Sequence, residues 1–112
     1  MNYWEELQKI EETFLTLDNS VCDTLEEANN CLIKYDKLKD DIMLIVKQVV
    51  ENHIVTEENI YREAIRILTS HIGSADDIQK YGEILESFYR ENKLTDWQRQ
   101  FFYENLDIGR WR

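Results

Sequence analysis

A long apolar stripe between Leu25 and Val49 constrains the fold of this chain more than any other feature of its sequence. The stripe is formed by Leu25, Ala28, Leu32, Tyr35, Ile42, Val46 and Val49, and it is widened by Cys31, Leu38 and Ile45. Steps of three and four residues place these side chains on one helical face, and a face of this width is typical of a core-facing bundle helix. The pattern predicts one long helix from Leu25 to about His53. Lys39 occupies the one step of the stripe that lacks an apolar residue.

Four further helices are predicted from helix-capping residues and shorter apolar stripes. Thr24 and Thr95 each begin a capping box, and Thr56 and Ser74 precede two other stripes. The expected helical ranges are 3–17, 25–53, 57–72, 75–93 and 96–108. The chain has no Pro and only three Gly residues, and it shows no strand-like alternation. We therefore expect an all-α fold, with residues 1–112 forming a single domain. Its expected architecture is an antiparallel four-helix bundle with a short fifth C-terminal helix and a tail.

The charge of the chain limits the partners that it can bind. With 23 acidic and 13 basic residues, the formal net charge is −10. Phosphate groups would be repelled, so we expect no direct binding to nucleic acid or anionic lipid, while a basic partner stays possible. The longest uncharged apolar run, Ile42–Val46, is far shorter than the ~20 residues of a membrane span. The acidic start MNYWEELQK does not match a signal peptide. We therefore expect no membrane insertion and a cytoplasmic location.

No residue pattern in the chain indicates catalysis, a cofactor or a metal site. His53 and His71 are each expected in the last turn of a helix, where the helix dipole stabilises an imidazolium. We find no Gly-rich phosphate loop, nucleophile elbow or Glu-x-x-His pair. Cys22 and Cys31 are nine residues apart, which is not a typical zinc-ligand spacing, and in a reducing cytosol we expect both to be free thiols. The expectation is a non-enzymatic protein without cofactor or metal.

The C-terminal region holds the best candidates for a binding surface. In WQRQFFYENL, Trp97 and Phe101 can face the core together, whereas Phe102 and Tyr103 each lie a further ~100° around the helix. Trp, Tyr and Arg are the residue types that most often anchor protein interfaces. The residues predicted to bind a protein partner are Trp97, Phe102, Tyr103, Arg110, Trp111 and Arg112. For the tail we also predict that the indole covers an apolar gap between helices while the two arginines pair with acids of the first two helices.

Residues 92–112, NKLTDWQRQFFYENLDIGRWR, carry a resemblance to a known family. Their Lys-Leu-Thr start, the following Gln98 and the ending Asn105-Leu106-Asp107-Ile108-Gly109-Arg110 are similar to the last helix and tail entry of bacteriocin immunity proteins of the enterocin A type. The resemblance implies a small cytosolic antiparallel four-helix bundle without catalytic residues. It also implies that the chain protects its producer from a pore-forming peptide that acts with a membrane sugar transporter as receptor, and that the C-terminal region carries the specificity.

Two other functions are compatible with the sequence. The first is an inhibitor from a phage or mobile element that mimics nucleic acid and blocks a nucleic-acid-binding enzyme. Its candidate phosphate mimics are Glu5, Glu6, Glu11, Glu12, Asp36, Asp40 and Asp41. The second is a structural homodimer in which the long stripe pairs two copies and Lys39 sets their register.

Overall fold

The computed structural model describes residues 3–52, 58–72 and 74–106. Within these ranges the chain forms five α-helices and no strand. They are α1 (Tyr3–Asp18), α2 (Leu25–Asn52), α3 (Glu58–Ser70), α4 (Ala75–Arg90) and α5 (Asp96–Asn105). The prediction of an all-α fold is confirmed. No helix in the described part of the chain is long and apolar enough to cross a membrane.

Side-chain caps begin three of the helices where the sequence predicts them. The Thr24 hydroxyl accepts a hydrogen bond from the backbone N–H of Glu27 at 3.1 Å before α2. The Ser74 hydroxyl accepts from the N–H of Asp77 at 3.2 Å before α4. At α5, Thr95 and Gln98 form a reciprocal capping box, in which each side chain accepts from the other's backbone N–H. Each cap satisfies amide groups that lack a partner inside the helix.

Helix α4 ends earlier than the sequence predicts. Its last residue is Arg90 rather than Lys93, because Asn92 adopts a left-handed conformation with φ of 62°. The N–H of Lys93 donates to the carbonyl oxygen of Phe88 at 2.9 Å, and the N–H of Asn92 donates to that of Tyr89 at 3.0 Å. This is the Schellman pattern, which satisfies the last carbonyl groups of a helix and reverses the chain. The reversal leads directly into α5.

All five helices contribute to one hydrophobic core, and α3 lies at its centre. Helix α3 packs against α1, α2 and α5, while α5 also packs against α4. The fully buried side chains include Leu7 and Phe14 of α1, Ile42 and Val46 of α2, Tyr61, Ile65 and Leu68 of α3, Tyr81 of α4 and Phe102 of α5. Trp4, near the start of α1, is 44% exposed.

The two halves of α2 differ in burial although the same apolar stripe runs through both. Ile42, Ile45, Val46 and Val49 in the C-terminal half are buried. In the N-terminal half, Leu25 is 79% exposed and Leu32 is 61% exposed, while Ala28 and Tyr35 are partly buried. The prediction of one long helix is confirmed, but its apolar stripe faces the core only in the C-terminal part.

Lys39 joins α2 to α4 through a buried ion pair. Only 4% of the residue is exposed. Its Nζ lies 2.7 Å from Oδ2 of Asp77 in the first turn of α4 and 3.5 Å from Oδ1 of Asp36. A buried ammonium group needs such partners because desolvation would otherwise destabilise the charge. These ion pairs give Lys39 a role within the single chain, and its role in the register of a homodimer stays a prediction.

Candidate functional site

An open groove lies where α1, α3 and α5 converge. Its volume is about 440 Å³. We call it the Arg62 groove, and its walls are formed by Trp4, Asn59, Arg62, Glu63, Arg66, Phe101 and Asn105. Aromatic, amide and guanidinium groups thus meet at one surface, which is the combination that protein interfaces use most.

Helix α5 is held against α3 by a cluster of aromatic rings beneath this groove. The Tyr61 ring contacts Trp97 edge to face, with ring centroids 5.8 Å apart, and it contacts Phe101 at 6.4 Å. Trp97 and Phe101 share a face because they are four residues apart, and their rings meet at 6.3 Å. The Tyr61 hydroxyl donates a hydrogen bond to the carbonyl oxygen of Gln98 at 2.6 Å. Burial raises the pKa of Tyr61, so this donor stays protonated and keeps the two helices in register.

The guanidinium of Arg62 covers this aromatic cluster on its solvent side. Its central carbon is 5.0 Å from the centroid of the Trp97 ring and 5.9 Å from that of Phe101. Stacking of this kind orients a guanidinium while leaving its N–H groups free to donate. Among the described side chains, no carboxylate lies within ion-pair distance of Arg62. The groove therefore presents an oriented cation beside exposed aromatic surface.

Arg66 lies one turn further along α3 and differs from Arg62 in its partners. Its guanidinium donates to Oε2 of Glu11 on α1 at 2.7 Å, and it also pairs with Glu63. Two carboxylates thus neutralise Arg66 and tie α1 to α3. We infer that Arg66 supports the wall of the groove, whereas Arg62 is available for a contact.

Two of the predicted contact residues lie away from the Arg62 groove. Phe102 is completely buried in the core, and a side chain without exposed surface cannot contact a partner in this conformation. Its position differs from that of Phe101 because consecutive helical residues are ~100° apart. The Tyr103 side chain is 39% exposed, but it lies on the side of α5 that faces α4.

Tyr103 belongs to a polar network between α4 and α5. Its hydroxyl donates to Oε1 of Glu86 at 2.9 Å, and Nε of Arg99 donates to the same oxygen at 2.7 Å. These two hydrogen bonds lower the pKa of Glu86. The Arg99 guanidinium also lies over the ring of Tyr89 at 5.0 Å. These polar groups bind one another, so the Tyr103 hydroxyl is used within the chain to hold α5 against α4.

Of the predicted contact residues that the structure describes, Trp97 lies next to the Arg62 groove, beneath the Arg62 guanidinium, although it is not one of the wall residues. Arg110, Trp111 and Arg112 lie outside the described residues, and so does their predicted packing. The sequence did not identify Arg62 or Trp4. One sequence feature could have indicated Arg62. Arg62 and Arg66 are two basic residues at helical spacing, next to Tyr61, in a chain of net charge −10.

Most of the acids proposed to mimic nucleic acid are engaged within the chain. Glu11 pairs with Arg66, Asp36 with Lys39, Asp40 with Lys80 and Asp41 with Lys37. A carboxylate beside a cation projects less negative potential than an isolated one. These contacts give no support to a phosphate-like array.

Within the described residues, no group of three or more His, Cys, Asp or Glu side chains could hold a metal ion. The His71 ring stacks on Phe14 with centroids 3.8 Å apart, and its Nδ1 lies 3.0 Å from the carbonyl oxygen of Ile67. A carbonyl oxygen can only accept, so Nδ1 carries a proton and donates. His71 lies just after Ser70, the last residue of α3, and donates to a carbonyl group at the end of that helix, whereas His53 lies outside the described residues.

Comparison with protein-family models, curated proteins and solved structures finds no match to this chain.

Proposed function

We propose that this chain is a non-enzymatic cytoplasmic protein that binds and neutralises a protein partner, in the manner of bacteriocin immunity proteins. The single observation that supports the proposal most is the Arg62 groove. It combines an exposed Trp, a half-buried Phe and a stacked Arg at one concave surface. We also infer that the helices are arranged as an antiparallel bundle, since short connections join consecutive helices.

The chemistry of the groove indicates what the partner should present. Trp4 and Phe101 can bury an apolar or aromatic side chain, and a groove of about 440 Å³ has room for a few side chains. The N–H groups of Arg62 can donate to a carboxylate or to the end of a helix on the partner. We therefore propose a helical segment that places an aromatic or aliphatic anchor next to an acidic side chain.

The predicted contact residues of the tail are close in sequence to the groove. Asn105 lines the groove, and Arg110, Trp111 and Arg112 follow it in sequence. An extended chain of that length spans at most ~25 Å, so these residues are within reach of a partner seated in the groove. We propose that the groove and the tail contact the partner together.

A protection assay in a sensitive Gram-positive host tests the proposal. The host expresses the chain and is challenged with a panel of pore-forming peptides. We expect at least one peptide to become about tenfold less inhibitory. Arg62→Ala and Trp4→Ala should abolish that protection, because each removes a contact of the kind that costs ~2 kcal/mol or more at an interface centre.

Two variants on other surfaces serve as matched controls. Arg90→Ala removes an exposed arginine at the end of α4, and Leu44→Ala removes an apolar side chain on α2 that is 58% exposed. Both should protect as the unaltered chain does, and all four variants should keep the helical circular dichroism spectrum. Absence of protection against every peptide would contradict the immunity function. Full protection by the Arg62 and Trp4 variants would contradict the role of the groove.

A further inference from the structure

The connection between α1 and α2 brings the two cysteines of the chain together. Cys22 is exposed in this connection, and Cys31 is half-buried on α2. Their sulfur atoms are 3.1 Å apart, whereas the sulfurs of a disulfide are ~2.05 Å apart. If the two sulfur atoms moved about 1 Å closer, a covalent bond could form. The fold therefore already holds the two cysteines almost at bonding distance.

Hydrogen bonds on both sides of the cysteines hold this geometry. Glu27, Cys31 and Tyr35 are spaced four residues apart and so share one face of α2. The Glu27 carboxylate accepts from the backbone N–H of Asp23 at 3.0 Å, and the Tyr35 hydroxyl donates to Asp18 at 2.5 Å. The connection is thus anchored to this face before and after Cys22. Cys31 lies between the two anchors.

We propose that Cys22 and Cys31 are a modification site at which a reversible intramolecular disulfide forms by exchange with a low-molecular-weight disulfide such as oxidised glutathione. The exposed Cys22 thiolate attacks one sulfur of the oxidant, whose S–S bond breaks and releases one small thiol. The Cys31 thiolate then attacks the Cys22 sulfur and displaces the second small thiol. The two protein thiols lose two hydrogen atoms, and the oxidant gains them as two thiols.

The surroundings favour a stable, slowly formed disulfide over a catalytic one. The hydrogen bond with Cys31, slight burial and the charges of Glu27 and Asp23 raise the pKa of Cys22. Because only the thiolate attacks, exchange at neutral pH is slow and becomes faster as the pH rises. Once formed, the bond fixes the α1–α2 connection to α2. It involves no residue of the Arg62 groove, so this inference is independent of the proposed function.

A redox equilibration of the complete chain tests the site. The folded protein is incubated with mixtures of oxidised and reduced glutathione, quenched with acid and analysed by mass spectrometry. We expect the main product to have lost two hydrogen atoms and to carry no glutathione. The equilibrium constant for its formation should be at least tenfold higher in the folded chain than in concentrated urea, because only the fold holds the sulfurs together.

Cys31→Ser is the matched control, since it keeps Cys22 exposed and removes only the resolving thiol. This variant should instead accumulate one glutathione on Cys22. The proposal is overturned if the unaltered folded chain yields mainly glutathione adducts or disulfide-linked dimers. It is also overturned if the equilibrium constant is no higher in the folded chain than in urea.

Discussion

The N-terminal and C-terminal halves of α2 have the same apolar pattern but different surroundings. Ile42 and Val46 are completely buried, whereas Leu25 and Leu32 are mostly exposed. At 1.5 Å per residue, the 28 residues of α2 extend about 42 Å, while the 16 residues of α1 extend about 24 Å. A stripe predicts which face of a helix is apolar. The lengths and positions of the neighbouring helices decide how much of that face is covered.

Contacts with α1 and α4 show which part of α2 is packed against other helices. Phe14 near the end of α1 lies against Tyr35, with ring centroids 5.8 Å apart. The start of α4 reaches α2 through the ion pairs of Asp77 with Lys39 and of Lys80 with Asp40. On the N-terminal side of Tyr35, Glu27 and Cys31 of α2 contact the connection that carries Cys22. The same helix thus supplies core in one half and a mostly exposed surface in the other.

The largest effect is expected from truncating the stripe in its buried half. Ile42→Ala should lower the free energy of unfolding by about 2–5 kcal/mol, because it leaves a cavity in a closely packed core. Leu32→Ala makes a similar truncation on the same helix and should change it by no more than about 0.5 kcal/mol. Urea denaturation measures both. Equal losses would show that the two halves of α2 are buried alike.

A smaller effect is expected at the boundary between the halves, where Lys39 is buried. Asp77→Asn should cost about 1.5–3 kcal/mol, because it removes a charged hydrogen-bond partner from a buried ammonium. Lys39→Met keeps a similar volume and removes the buried charge, so it should be nearly neutral in the same measurement. The interpretation would fail if Asp77→Asn were neutral and Lys39→Met strongly destabilising.

The pH dependence of stability should separate the contribution of Tyr35 to the free energy of unfolding from that of the core. Burial, together with the hydrogen bond to Asp18, raises the pKa of Tyr35 from 10.0 to about 12. A raised pKa in the folded state contributes stability below pH 10 that is lost as the pH rises to about 12. Tyr35→Phe should therefore lower stability at neutral pH by up to about 1 kcal/mol and weaken its decrease above pH 10. A pH profile identical to that of the unaltered chain would refute this assignment.

The smallest effect on the free energy of unfolding is expected from the N-terminal cap of α2, compared with that of α5. Thr95→Ala, which removes the capping box of α5, should cost about 1 kcal/mol. Thr24→Ala removes the single hydroxyl cap of α2 and should cost less, because the first turns of this helix can fray without exposing the core. Thermal unfolding of the two variants tests the order. A larger loss for the Thr24 variant would mean that the N-terminal turns of α2 are coupled to the core.

Local features of this fold could be predicted from the sequence, and features that join distant residues could not. The caps at Thr24, Ser74 and Thr95 depend on residues three positions away, so they are visible in the sequence. The burial of Lys39 depends on Asp77 in another helix, and the end of α4 depends on the left-handed conformation of Asn92. Both required tertiary contacts or backbone geometry that no periodic pattern encodes.

The candidate site was predicted only in part for the same reason. Trp97 was predicted as a contact residue and lies beneath Arg62 beside the groove, whereas the burial of Phe102 depends on how α5 packs against its neighbours. Arg62 and Trp4 belong to two other helices, and they become a site only because α1, α3 and α5 converge. A groove shared by three helices has no local signature in the sequence.

Amide hydrogen exchange along α2 tests most directly whether this helix is divided into a core half and an exposed half. We expect amides of residues 42–50 to exchange only through global unfolding, with the free energy of that unfolding. Amides of residues 28–34 should exchange through local opening, with protection at least a hundredfold lower, equivalent to about 2.7 kcal/mol. Uniform protection from one end of α2 to the other would show that the helix is not divided into a core half and an exposed half.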